Sequence, residues 1–245
     1  MSIWSDIGRF LQEAATDAFS SVVESIRTVF GGDASTRKRV AFSVAIIALS
    51  AKMAKADGVV TEEEVKAFQE IFAVPPEEMN HVSRLYNLAK GDVAGYTAYG
   101  QQVRSLFPGD DPADEDVLTD VLDALFHIAK ADNVIHENEL LFLEDLAVLF
   151  GFDELAFGRI KARHLGDCDA DSYRVLEAES DWDYERLKAQ YRAKVRDNHP
   201  DRLIARGVPP EFVVLANERL AAINAAWEAI EPLHRPVQAV AVAGR

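Results

Sequence analysis

The chain has 245 residues (27.1 kDa), with 41 acidic and 26 basic side chains, a net charge of −15 and a pI near 4.8. At 49% hydrophobic it can bury one large core or two ordinary ones, which excludes wholesale disorder, and its acidity excludes a general nucleic-acid binder. Its one cysteine, Cys168, excludes an internal disulfide and a paired-cysteine zinc site, and it suits a reducing, cytoplasmic setting.

Over residues 1–33, apolar side chains recur at Ile3, Ile7, Phe10/Leu11, Ala14, Ala18, Val22, Ile26 and Val29, before Gly31, Gly32 and Asp33. A spacing of three or four predicts an amphipathic helix that stops at the glycines. Its apolar face is expected to pack on the rest of the chain or, by self-association, on a second copy. Peripheral membrane binding is the alternative. Arg9 and Arg27 against Asp6, Glu13, Asp17 and Glu24 make attraction to anionic lipid poor. The apolar run Val40–Ala51 falls short of the roughly 20 residues of a membrane span and predicts a buried helix.

Residues 34–164 read as a bundle of helices. Asp57-Gly58 closes one helix, Thr61 with Glu64 opens the next, and Pro75-Pro76 ends that. Asp114, Glu115 and Asp116 head a later helix, where negative charge suits the dipole. Gly151 closes another, and Asp153 is the expected cap of its successor. No stretch alternates strictly, so the expected class is all-α.

The bundle carries an internal repeat. Ala54-Lys-Ala-Asp-Gly-Val-Val-Thr-Glu-Glu-Glu-Val65 matches Ala129-Lys-Ala-Asp-Asn-Val-Ile-His-Glu-Asn-Glu-Leu140, which predicts pseudo-two-fold symmetry. Each copy sets an aspartate at the end of one helix and a glutamate seven residues on. Paired by symmetry, Asp57, Glu64, Asp132 and Glu139 would form an oxygen-rich cluster suited to calcium or magnesium. The competing reading is capping, which accounts for Glu64 through Thr61 and explains Glu139 less well, because His136 stands at the cap position. No cofactor is required elsewhere.

Residues 165–170 are small and polar and read as a linker. Up to residue 170 the net charge is −14, from 15 basic and 29 acidic groups; residues 171–235 carry only −2. Within that second stretch, Tyr184–Asp197 predicts a helix with Tyr184, Leu187, Tyr191 and Val195 on one face. Arg186, Lys188, Arg192, Lys194 and Arg196 fall on the other. His199-Pro200-Asp201 follows as a turn, because proline disfavours helix at the residue before it. A short helix is expected ahead of these, near Tyr173–Glu177, and a third near Pro210–Ile230, after which Pro232 and Pro236 should break the chain.

Four features occur in order here: Tyr173-x-x-Leu176, the basic helix, His199-Pro200-Asp201, and Ile223-Asn-Ala-Ala-Trp227. Together they resemble the J-domain of the DnaJ co-chaperones. The resemblance covers about 171–232, leaving 233–245 as a tail. It implies a helical hairpin that docks on a DnaK-type chaperone and stimulates its ATP hydrolysis. His199, Pro200 and Asp201 would be the stimulating loop, and Arg186, Lys188, Arg192, Lys194 and Arg196 the docking cations. Tyr173, Leu176, Leu187, Tyr191, Leu220, Ile223 and Trp227 are then expected in the core. The Ala-Lys-Ala-Asp repeat resembles the TerB-like domain, some relatives of which hold metal at the acidic cluster. A TerB-like domain followed by a J-domain resembles the DjlA-type DnaJ-like proteins.

The expected function is thus that of a co-chaperone, in which the acidic bundle binds a client, a partner or a metal. A metal-responsive scaffold that no longer stimulates the chaperone is the alternative. An enzyme comes last, for want of a nucleophile, phosphate loop or cofactor fingerprint.

Overall fold

The computed structural model describes residues 34–57, 66–69, 71, 74–92, 95–107, 112–166, 169–205 and 213–235. The segment expected as an amphipathic helix over 1–33, the residues Thr61, Glu64 and Cys168, and the tail beyond Arg235 lie outside them. The fold is all-α, with no strand among the described residues.

The first helix, α1 (Ala34–Asp57), is the axis of the bundle. Its apolar run leaves no polar face, so Phe42, Val44, Ile46, Ile47 and Leu49 are all buried. Four helices surround it: α2 (Met79–Gly91), α3 (Tyr96–Leu106), α4 (Pro112–Ala129) and α5 (Glu137–Phe150). Lys52, a cation drawn into this core, donates to the Asp92 carbonyl at 2.9 Å and lies 4.8 Å from the centre of the Tyr99 ring. The Tyr99 hydroxyl in turn donates to Asp92 Oδ2 at 2.7 Å, so Asp92 gives both Lys52 and Tyr99 a partner.

Among the described residues glycine is needed at three points, one of them Gly166, where a Cβ would collide with the Ala162 carbonyl oxygen. A Cβ on Gly100 of α3 would stand 2.9 Å from Leu146 Cδ1 of α5, so the residue permits the close approach of the two helices. Gly151 ends α5 at φ +90°, a left-handed cap. Asp153 then accepts from the Ala156 amide at 2.7 Å and starts α6 (Glu154–Leu165).

The stretch expected as a linker has helical ends, because α6 runs through Leu165 and α7 (Asp169–Leu176) already begins at Asp169. Then come α8 (Tyr184–Asp197), α9 (Pro200–Ala205) and α10 (Val213–His234). Helices α7, α8 and α10 enclose a second core of Val175, Leu176, Leu187, Ile223, Ala226, Trp227 and Ile230. Tyr173 and Tyr191 are only partly buried at its rim, and Leu220 is only half-buried. Tyr191 stacks on Trp227 with ring centres 5.0 Å apart and planes within 9°.

Two expectations change here. Pro232 does not end the third helix but sits inside α10, which continues to His234. A proline this close to a helix end removes one hydrogen bond in a turn already short of partners, and Ile230 and the Tyr173–His234 contact (2.7 Å) hold that turn in place. Nor is α10 confined to the second core. Its first turn contributes Leu215 and Ala216 to the bundle core, while Ala162 of α6 belongs to the second. One helix therefore closes both.

Candidate functional site

Helix α8 starts at Asp183, whose side chain accepts from the Arg186 amide at 2.8 Å. Leu187 anchors it inward, and Gln190 ties it to α7 by donating to the Leu176 carbonyl at 2.9 Å. With that face fixed, the basic residues are turned outward. Arg186 lies over the Trp182 ring at 3.7 Å and Lys188 over Tyr184 at 5.2 Å, which orders both side chains without neutralising them. Arg192 and Arg196 are exposed. Lys188 and Lys194 are half-buried, and Lys194 differs in being paired, with Nζ 2.5 Å from Glu177 Oε1.

The tripeptide lies where the sequence places it, at the end of the basic helix, but only His199 is outside helix. Pro200 and Asp201 open α9, because a proline's missing N–H costs nothing in a first turn. His199 Nδ1 accepts from the Asp201 amide at 3.3 Å, and its carbonyl accepts from Arg202 N at 2.9 Å. The side chains of His199 and Asp201 are 57% and 88% exposed, so both are presented to solvent. Arg202 is held back toward α8 by Asp197, at 2.8 Å.

Behind this face lies a cluster of buried charges. Asp120 and Asp123 on α4, Arg163 and His164 on α6, and Arg219 on α10 meet where the two cores join. Arg219 donates through Nη2 to Asp120 Oδ1 (2.6 Å) and to Asp123, and through Nε to Asp123 Oδ2 (2.8 Å). Arg163 donates to Asp123 Oδ1 at 2.9 Å, and His164 Nε2 lies 2.8 Å from the same oxygen. Burial opposes the charge on Asp123, but Arg163, Arg219 and His164 outweigh it and hold the carboxyl well below its usual range. Burial likewise opposes the charge on Arg219, and the two aspartates reverse that and raise its pKa. For His164 burial wins, with Lys130 and Arg163 adding to it, and its pKa is lowered despite Asp123. Beside the cluster, His127 Nδ1 is 2.5 Å from Glu218 Oε1 and Lys130 Nζ 3.4 Å from Glu218 Oε2, a second tie between α10 and the end of α4.

A cleft of about 420 Å³ separates the modules next to the tripeptide, with Glu115, Asp116 and Arg159 on the bundle side and Lys194, Asp197 and Arg202 on the other.

The acidic repeat is described in its second copy. Asp132 Oδ1 accepts from the Val134 amide at 2.9 Å, a turn that Asn133 completes in the left-handed region at φ 66°. Glu139 is buried and reaches back to the His136 amide at 2.9 Å, the glutamate half of a capping box. His136 therefore does stand at the cap, and capping accounts for Glu139. In the first copy Asp57 ends α1, while Glu64 lies outside the described residues. Among the described residues no group of three or more His, Cys, Asp or Glu is placed to hold a metal ion. Also among them, no helix is long and apolar enough to cross a membrane.

Sequence reasoning missed Asp120, Asp123, Arg163, His164 and Arg219. One signal was available. Asp120 and Asp123 interrupt a helix whose Val117, Leu118, Val121, Leu122, Leu125 and Phe126 are apolar on every side, and a charge inside such a helix must find a partner.

Known proteins resemble part or most of this chain. The family described as tellurite resistance protein TerB matches residues 43–162. Over 232 residues the chain is 28% identical to the co-chaperone protein DjlA of Photobacterium profundum, covering 82% of each chain. Over 234 residues it is 25% identical to the co-chaperone protein DjlA of Aliivibrio fischeri, covering 82% of this chain and 81% of that one. A shorter stretch of 60 residues, 24% of this chain and 21% of the other, is 37% identical to the co-chaperone protein DjlA of Pasteurella multocida. No solved structure matches. The chain thus carries a TerB-like domain and shares distant homology with the DjlA proteins of several bacterial species.

Proposed function

We propose that the chain is a co-chaperone whose C-terminal module docks on a DnaK-type chaperone and stimulates its ATPase. The observation that carries this reading is the exposed His199-Pro200-Asp201 turn at the end of a helix bearing Arg186, Arg192 and Arg196 outward. A positive face of that kind speeds encounter with an acidic partner surface and sets the register in which the turn arrives. The turn then acts by binding one conformation of the partner better than another, without bond chemistry of its own. Distant homology to proteins named as co-chaperones supports the same reading. The test is single-turnover ATP hydrolysis by the DnaK-type chaperone of the same cell, with the wild-type chain and with His199→Gln. Stimulation by the wild type that the variant lacks is the expected result. No stimulation by either, or equal stimulation by both, refutes the reading.

The TerB-like bundle is proposed to hold a client, a partner or a cation, the last at Asp57, Glu64, Asp132 and Glu139. Titration calorimetry with calcium and magnesium on wild type and the Asp57→Ala/Asp132→Ala pair tests the cation. Heats unchanged by the substitutions leave capping as the whole role of the repeat.

A further inference from the structure

The cluster behind the docking face does more than join two cores. Arg219 has a third direction. Its Nη1 donates to Asn198 Oδ1 at 3.3 Å, and Asn198 is the residue that ends α8 immediately before His199. The Asn198 amide is oriented for this, because its Nδ2 donates to the Lys194 carbonyl at 2.8 Å and leaves the oxygen to face Arg219. One guanidinium thus touches the two bundle carboxylates and the cap that leads into the exposed turn. Its planar fork is what allows several partners at fixed angles, and it is 6% exposed, with little freedom to choose others. The apolar contacts agree: α10 is seated in the bundle by Leu215 and Ala216, one turn before Arg219.

We propose that Arg219 is a positioning residue for the His199-Pro200-Asp201 turn, carrying the hold of Asp120 and Asp123 through Asn198, so that the bundle sets the geometry with which the turn meets its partner. The functional half of this rests on the co-chaperone reading; the geometric half does not. A module whose turn is braced in this way presents one conformation, which matters when the turn works by differential binding rather than by docking strength. The outward cations Arg186, Arg192 and Arg196 of α8 lie outside this link, so the two contributions are separable.

The test uses the full chain with two substitutions. Arg219→Lys keeps the buried charge against Asp120 and Asp123 but loses the fork and leaves the Asn198 bond to the Lys194 carbonyl in place, whereas Asn198→Ala leaves the buried cluster whole and removes the last link together with that carbonyl bond. The first readout is the backbone order of His199, Asp201 and Arg202 by amide relaxation. Order parameters near 0.85 in the wild type should fall toward about 0.6 in both variants. The second readout separates maximal ATPase stimulation from the chain concentration that gives half of it. Maximal stimulation should fall about fivefold, the scale of one lost hydrogen bond, with the half-saturating concentration unchanged. Arg192→Ala should do the reverse.

A purely structural role would lower the melting temperature of Arg219→Lys and leave the turn's order as in the wild type. That result, with Asn198→Ala also unchanged, overturns the proposal. A turn that loosens while stimulation stays full overturns its functional half. If the wild-type chain does not stimulate at all, the co-chaperone reading fails while the order parameters still decide whether Arg219 holds the turn.

Discussion

The bundle core draws aliphatic and phenylalanine side chains from α1 to α6, and most of them are almost completely buried. Among the described residues the module core has eight buried members, and one of these, Ala162, comes from α6 of the bundle. The difference extends to the rims. The module's aromatic residues keep polar ends in use: Tyr173 meets His234, Tyr184 donates to Glu231 at 2.9 Å, and Tyr191 donates to Asn224 at 3.0 Å. A core of that size is marginal alone, because a small domain buries too little of its own surface. The comparison teaches that the module leans on the bundle, through α10 and through charges that have no other shelter.

The sharpest way to break that comparison is to remove the shared support. Arg219→Met leaves Asp120 and Asp123 buried without it and should cost about 3–5 kcal/mol. Trp227→Ala, confined to the small core, should cost a similar ~3–5 kcal/mol. In both variants and in the wild type, urea unfolding followed by tryptophan fluorescence and by circular dichroism should give coincident transitions. Two separate transitions would show the modules to be independent.

Next in size is a pH effect. His164 faces Asp123 and Lys130 from α4 and its end, Glu218 and Arg219 from α10, and its neighbour Arg163. Its folded pKa lies below the unfolded value of about 6.5, so the unfolded chain takes up protons first and stability falls as pH drops below that value. Asp123 is also depressed, so its contribution is complete above about pH 3.9 and drains as pH falls further. The melting temperature should therefore decline from pH 7.5 to 5 and more steeply below 4. His164→Gln, which keeps an N–H for Asp123, should flatten the upper part of that slope.

Smaller effects separate caps from charges. Asp153→Ala should cost about 1 kcal/mol by removing the α6 cap. Glu139→Gln should stay within about 0.5 kcal/mol, because glutamine also completes a capping box. A much larger loss, measured by urea unfolding, would mean that the Glu139 charge has work beyond its own helix.

Local chemistry explains what could be read from the sequence. Tyr184–Asp197 is legible as a helix because its apolar period and the acceptor at Asp183 lie within one short window. The buried α1 is legible because Val40–Ala51 offers no polar face, and the exposed turn because proline constrains both itself and His199. The bond from Arg219 to Asp120 spans 99 positions, and nothing near either residue announces the other. His136 misled for a related reason: the side chain at a cap position suggests a poor cap, whereas the bond that matters is made by its backbone amide. Pro232 misled because a breaker's cost depends on how many helical bonds remain beyond it.

The shared α10 also bears on the order of events during synthesis. Chains fold domain by domain from the N-terminus as they emerge. Asp120 and Asp123 leave the ribosome long before Arg219 does; Asp123 meets Arg163 forty residues later, but the Arg219 fork that ties both carboxylates to α10 arrives almost a hundred residues after them. The His199 turn emerges in between and is braced only when α10 closes over it. The turn would then gain its braced shape only when α10 docks, the same event that completes the bundle core with Leu215 and Ala216.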